Sequence, residues 1–344
     1  MKEFFLMPQE IKITLLGSSG VGKTSLLASM YEQFQTISSL GNLQLIPQGK
    51  SADTLNKRLT ELKSMLARGK KGDFTVRPGE GIQGTSATDP NSIRSFVFDF
   101  SRRGKGPFMK LHFYDYPGGY ISEKATNKER EFVQKLLNDA AVVIVAIDTP
   151  ALVMRNGKYN EYVNKPNQIT QMFKEAYKNL KEPRLVILAP VKCEMEMRKG
   201  ERSANQLLNS IKKEYAALLN FFESPSLASK VAVAVTPVQT LGCVECSRMV
   251  EPTTDFLPVF GFKKYPTADA EYKPKDTDQP LRYLLEFLVK LHLDNRNFAV
   301  ELFANWTGLD KPLKDAIIDF AGGRKTEGGF GVIQGNHLLD IRSK

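Results

Sequence analysis

The chain of 344 residues contains three cysteines, three histidines, one tryptophan and no long apolar run. Each shortage excludes something. An odd, small number of cysteines does not make a disulfide framework, and a reducing cytoplasm is the expected setting. Cys243 and Cys246 form one CxxC, but no second pair exists to complete a four-ligand zinc site, so buried or idle thiols are expected there. No stretch approaches the roughly 20 apolar residues that cross a bilayer. The opening MKEFFLMPQEIK is charged too early to read as a secretory leader. Acidic residues are also in deficit, 38 against 48 basic, which leaves a net charge of +10. That charge permits anionic partners without selecting one. Lys57, Arg58, Lys63, Arg68, Lys70 and Lys71 form one basic cluster, and Arg102, Arg103 and Lys105 another. Aromatic residues do not alternate with either, as a base-stacking surface requires, so both read as solvated faces, and nucleic acid stays possible as a partner without being favoured.

What is present is the composition of a globular α/β protein, 42% hydrophobic and 25% charged, with length to spare for insertions. IKITLLG (11–17) reads as a buried strand that stops at glycine. KTSLLASMYEQF follows as a helix with Leu26, Leu27, Met30 and Phe34 on one face. Leu55, Leu59, Leu62 and Leu66 predict a second helix over about 52–68, and 69–90 is glycine-rich and irregular. SFVFDF (95–100) and KLHFYDY (110–116) predict an antiparallel hairpin. TNKE (126–129) and SANQ (203–206) have the form of capping boxes that open helices. Further strands are expected at 140–148, 184–190 and 231–238, with a helix over about 166–180. The proline-rich 240–280 reads as an ordered insertion or lid, and Pro280 as the start of a strong helix. Strands alternating with helices predict a mostly parallel sheet sandwiched between helices. Residues 294–344, with a short helix near 312–321 and the only tryptophan (Trp306), read as a docking tail or as a strap on the domain.

Gly17–Thr24, GSSGVGKT, matches G-x-x-x-x-G-K-[ST] between a strand and a helix. Glycines at this spacing let successive backbone N–H groups turn inward on phosphate oxygens at a helix N-terminus. The expected cradle is Gly17, Ser18, Ser19, Gly20, Val21, Gly22, Lys23, Thr24 and Ser25. Lys23 would reach the β- and γ-phosphates and Thr24 would hold Mg²⁺. The strand KLHFYD runs into DYPGG (115–119), where Asp115 would hold Mg²⁺ and Gly118 would offer its N–H to the γ-phosphate. Asp148 also ends a strand, but TPA follows it, with no glycine placed to touch phosphate.

With these two motifs in this order, the chain resembles the translation-factor-like class of P-loop GTPases. The resemblance implies a Ras-like three-layer sandwich, mostly parallel with one antiparallel strand, and with insertions at about 35–94 and 240–280 of a domain spanning 1–293. It implies GTP or GDP with Mg²⁺ as ligands and a threonine for the metal in the loop GIQGTSATDP, Thr85 first and Thr88 second. It places base reading at VKCE (191–194), where Lys192 would pack on the purine and Glu194 stands in place of the usual Asp. Val191 replaces the usual Asn or Thr, and Thr236 opens the next base-contacting loop; guanine is favoured over adenine. The residue after DxxG, a water-orienting Gln in Ras-type enzymes, is here Gly119, which leaves Tyr120, or an Arg or Lys from the lid or a partner, as candidates and implies slow hydrolysis. DYPGG, PVKCE and VTPVQTLG further resemble prokaryotic double-GTPase-type proteins linked to bacterial conflict systems. That resemblance implies a cytoplasmic switch acting on a protein effector or activator. Two other readings stay open, a P-loop ATPase and a nucleotide-locked scaffold without turnover.

Overall fold

The computed structural model describes residues 9–67, 73–76, 94–251, 258–294 and 311–341. Thr85, Thr88, Arg68, Lys70, Lys71 and Trp306 lie outside them.

The first strand, β1 (Gln9–Leu16), feeds the glycine loop and then α1 (Lys23–Gly41), whose Leu26, Leu27, Met30 and Phe34 are all buried as their spacing predicts. Asn42, left-handed at φ 56°, turns the chain into β2 (Leu43–Pro47), a strand too short and too close to a proline to show in the pattern. After α2 (Lys50–Ala67) come the four residues of β3 (Asp73–Val76), in a stretch expected to be irregular. The predicted hairpin forms as β4 (Arg94–Arg102) and β5 (Met109–Asp115). Thr126 caps α3 (Asn127–Asp139) with both bonds of a capping box. The fully buried β6 (Val142–Asp148) leads to the short α4 (Thr149–Val153) and α5 (Asn160–Val163) and then α6 (Pro166–Ala176). Next are β7 (Arg184–Val191), α7 (Glu194–Arg198), α8 (Glu201–Glu214) and α9 (Ala216–Phe222). The SANQ expectation is corrected here: Gly200 is the N-cap of α8, and Ser203 lies inside the helix. The chain continues through β8 (Val231–Val235), β9 (Val244–Val250), β10 (Val259–Lys264), α10 (Gln279–Leu293), α11 (Lys311–Gly322) and β11 (Gly331–Gln334).

Eight strands form one sheet in the order β11-β8-β7-β6-β1-β5-β4-β2. The five central strands from β8 to β5 are mutually parallel. β4 runs against β5 as expected, and β11 runs against β8, so the sheet carries a second reversed strand. Side chains alternate across it with period two. Val142 and Ile144 of β6 join a core with α1, α2, α10 and α11, while Val143, Val145 and Ile147 join the opposite core with α3, α6, α8 and α9. The result is the three-layer Ras-like sandwich. The described part of 294–344 therefore packs as a strap: α11 lies on α10 and β11 closes the sheet edge. β3, β10 and β9 make a separate antiparallel sheet, so the two insertions, distant in sequence, meet in one element. Arg58, expected on a solvated face, is instead buried and paired with Glu61 at 2.6 Å. No described helix is long and apolar enough to cross a membrane.

Candidate functional site

Parallel strands ending at the same edge bring their loops together there. β1, β5, β6, β7 and β8 deliver GSSGVGKT, DYPGG, Asp148, VKCE and Thr236 to one end of the sheet. Gly17 leaves β1 at φ 149°, and a Cβ there would stand 3.0 Å from the Ala146 carbonyl oxygen, so the loop lies flat on β6. α1 starts with Gly22 at its N-cap and no side-chain cap, which leaves its first N–H groups facing the loop. Ser18 is buried with its hydroxyl unpartnered, Ser19 and Gly20 are exposed, and Ser25 is half-buried in the first turn. Val21 contributes backbone only, because its side chain is buried with Ala146, Tyr159 and Phe260.

Lys23 is buried, and its ammonium donates to the Gly17 carbonyl at 2.8 Å and the Ser18 carbonyl at 3.2 Å. It also lies 5.8 Å from the centre of the Tyr116 ring. Burial lowers its pKa and the Asp115 carboxylate opposes that shift. The Thr24 hydroxyl donates to Asp115 Oδ2 at 2.6 Å, while Asp115 Oδ1 is buried with no partner. A buried carboxylate oxygen left open beside a threonine hydroxyl and a cation is a donor set that fits a hard divalent ion with phosphate. Gly118 presses on this loop: a Cβ would fall 2.1 Å from Ser19 N and 2.3 Å from Ser18 C. Only glycine permits that approach.

Asp148 has another job. Its Oδ1 accepts from Ala151 N–H and caps α4, and its Oδ2 accepts from Lys192 Nζ at 2.5 Å. Asn164 holds the Asp148 backbone at both N–H and C=O. Lys192, left-handed at φ 57°, also donates to the Gly20 carbonyl at 3.0 Å. This ties the 191–194 loop to the glycine loop, a link that the Val191 side chain cannot make by hydrogen bonding. Val191 instead packs 3.3 Å from where a Cβ on Gly22 would be. The brace Asp148–Lys192–Gly20 was missed from the sequence, although an acid at a strand end next to a P-loop strand was a usable signal.

Glu194 is buried, with Oε1 accepting from Leu241 N–H at 3.1 Å and Gly242 N–H at 3.2 Å. Burial pushes its pKa up to about 7, against the pull of those amides. Thr236 is fully buried with an unpartnered hydroxyl. The Tyr120 ring is buried between Tyr116 (6.3 Å) and Phe132 (6.4 Å) in the apolar core. Cys243 and Cys246 are buried free thiols, and among the described residues no cluster of His, Cys, Asp or Glu could hold a metal.

Residues 11–235, well over half the chain, match the family model DO-GTPase2, "Double-GTPase 2". The chain belongs to the Double-GTPase 2 family. This makes it a P-loop GTPase, in keeping with the cradle and DYPGG. No curated protein matches the chain in sequence. Among solved structures it overlaps the GTP-bound Ski7 GTPase-like domain of S. cerevisiae at 17% identity and TM-score 0.37, covering 68% of this chain and 43% of that one. It overlaps Era in complex with MgGDPNP and ribosomal RNA at 14% identity and TM-score 0.31, covering 68% and 52%. The SRb-GTP/SRX complex of Chaetomium thermophilum gives 14% and 0.31, covering 69% and 93%. The chain thus spans less than half the length of the Ski7 structures it overlaps. Overlaps this loose add nothing to what the strand order and the family model show for this Double-GTPase 2 protein.

Proposed function

We propose that this Double-GTPase 2 protein binds GTP and GDP with Mg²⁺, hydrolyses GTP slowly on its own, and acts as a nucleotide-controlled switch for a protein partner. The conflict-system setting is the one its family resemblance implies. The observation that carries the reading is the 2.6 Å pairing of Thr24 with Asp115, whose second oxygen is buried and open, beside the buried Lys23. Thr24 and Asp115 would hold Mg²⁺, with Thr85, or Thr88 in its place, as the switch-loop threonine. The ion supplies charge neutralisation between the β- and γ-phosphates. Lys23, released from the Gly17 and Ser18 carbonyls, would take a phosphate oxygen in their place, and Gly118 N–H would meet the γ-phosphate.

Guanine recognition rests on Lys192, already pinned against the P-loop, and on Glu194. The added methylene of Glu over Asp matters here. One carboxylate oxygen accepts from the Leu241 and Gly242 amides, and the other would accept from guanine N1–H and N2–H₂. Slow turnover follows from Gly119, which has no side chain to orient water and leaves that task to Tyr120 or to a cation from the lid or a partner. A partner that donates a cation would accelerate the reaction, and an arginine finger is worth about 10³–10⁵ elsewhere.

Calorimetric titration with GTP, GDP and ATP, with and without Mg²⁺, tests the binding. The expected result is tight GTP and GDP binding, weak ATP binding, and loss of all three in Lys23→Ala. Equal affinity for ATP would replace the guanine reading with an ATPase. A single-turnover assay is expected to show cleavage over minutes to hours; none at all, despite tight binding, would leave a nucleotide-locked scaffold.

A further inference from the structure

The two halves of the site lie on different pieces of chain. The glycine loop runs directly into α1, while Glu194 is held by the amides of Leu241 and Gly242. β8 ends at Val235, and the following chain stays on the sheet as far as Val238, whose N–H donates to the Pro190 carbonyl at 2.8 Å. Beyond Val238 the insertion takes over. Gln239 and Lys275 exchange two backbone hydrogen bonds at 3.0 Å, and Lys273 N–H donates to the Leu241 carbonyl at 3.0 Å. Gly242 lies against the same segment: a Cβ there would fall 1.6 Å from the Lys273 carbonyl oxygen.

That segment also grips α1. Thr277 is fully buried, and its N–H donates to Gln33 Oε1 at 2.7 Å. Its hydroxyl proton is shared between the Ser29 carbonyl, at 2.9 Å, and Gln33 Oε1. Ser29 and Gln33 stand one turn apart on one face of α1. Asp276, left-handed at φ 61°, turns the chain between these contacts and the Gln239 bridge. Its Oδ2 accepts from Gln239 Nε2 at 3.2 Å, and its Oδ1 accepts from Lys325 Nζ at 2.6 Å. Lys63 of α2 adds a second tie, pairing with Glu32 of α1 at 2.6 Å and lying 5.3 Å from the centre of the Tyr272 ring. Residues 272–277 thus connect the 239–242 strip to the helix that carries the glycine loop.

We propose that Asp276 and Thr277 are positioning residues for guanine-nucleotide binding, which fix the 239–242 strip, and Glu194 with it, relative to α1. This rests on the function proposed above and adds what sets the lifetime of the bound nucleotide. One nucleotide must meet both halves at once. When their spacing is fixed, holding either end makes capture of the other an intramolecular event. When the tie is loosened, each half keeps its own contacts and only the gain from linkage falls. The change appears in nucleotide release and not in the grip on phosphate alone.

The test follows release of a fluorescent GDP by stopped flow, with competition by Mg-pyrophosphate as the probe of the glycine loop alone. Thr277→Val keeps the side-chain shape and removes the hydroxyl, and Asp276→Asn keeps a residue that tolerates left-handed backbone. Each should speed release about fivefold, the effect of one hydrogen bond, with pyrophosphate affinity unchanged. Thr277→Ser should restore the wild-type rate. Gln33→Ala removes the same contact from its half-buried side, so it should release GDP at least as fast as Thr277→Val and combine with it non-additively. A wild-type release rate in the Asp276→Asn/Thr277→Val double variant overturns the proposal, as does a Thr277→Ser variant as fast as Thr277→Val. Equal loss of GDP and pyrophosphate affinity also overturns it, because the defect would then lie in the glycine loop itself. Failure of the unaltered chain to bind GDP would instead count against the function proposed above, so the two failures are separable.

Discussion

Replacing Glu194 by Gln separates the electrostatics of the base loop from its shape. The wild-type carboxyl is buried and raised from its ordinary value of 4.5 to about 7, chiefly by burial, with the Leu241 and Gly242 amides pulling it down and Glu196 pushing it up. A difference of that size corresponds to about 3 kcal/mol between the two protonation states. The sign follows from linkage. Between pH 4.5 and 7 the native state holds a proton that the unfolded chain has released, so stability falls as pH rises. The contribution is fully present below pH 4.5 and is lost once pH passes about 7. Gln keeps an oxygen for the two amides and does not titrate. Urea denaturation of both proteins across pH 5 to 8.5 should therefore show Glu194→Gln gaining on wild type as pH rises, by ~2–3 kcal/mol, then running parallel above about pH 7.5. Guanine recognition responds in the opposite sense. GDP affinity of wild type should rise from pH 6 to 8 as the acceptor ionises, and the variant should bind GDP weakly at every pH. Parallel stability curves over the whole range would refute the buried, proton-holding Glu194 on which both statements depend.

Gly118→Ala forces a methyl group against the backbone of Ser18 and Ser19, with three contacts under 3.0 Å and no flexible side chain to give way. It should destabilise by about 1–3 kcal/mol or displace the DYPGG loop, and GTP affinity should fall more than GDP affinity, as read by calorimetry. Asp148→Ala removes the α4 cap and leaves Lys192 with the Gly20 carbonyl alone. It should cost about 3 kcal/mol in chemical denaturation and weaken guanine nucleotides at least tenfold. Thr126→Ala, remote from the site, removes a capping box and should cost about 1 kcal/mol without altering nucleotide affinity.

The fold was legible wherever one residue pattern had one reading. β6 and β7, apolar except for Asp148 at the end of one and Arg184 at the start of the other, read as buried strands, and the glycine loop between β1 and α1 reads as a phosphate cradle. Elements whose existence depends on a distant partner were not legible. β2, β3 and β11 are four or five residues long, and each is a strand only because β4, β10 or β8 lies beside it. SANQ misled because a capping box specifies two hydrogen bonds, and Gly200, left-handed at φ 91°, turned the chain into α8 three residues earlier.

The site divides in the same way. Contacts within a motif are local, so Lys23, Thr24, Asp115 and Gly118 came together as their spacing required. The contacts of the 191–194 loop, proposed to read the base, are not local. Val191 and Glu194 look like two independent departures from the [NT]KxD pattern, and taken singly each weakens the case for guanine. In the folded chain each has a compensation. Lys192 Nζ supplies the link to Gly20 that Val191 lacks, and Asp148 holds the lysine in place for it. Glu194 reaches the amides of an insertion that the shorter Asp would leave unsatisfied. The substitution therefore ties the base loop to the insertion. A nucleotide that engages the second oxygen of this carboxylate fixes Glu194 in place and so steadies the insertion as well as the switch loops. This predicts that GDP binding slows amide hydrogen exchange at Leu241 and Gly242 in wild type, and that Glu194→Ala abolishes that protection while Lys192→Ala, although weakening GDP, retains it at saturation.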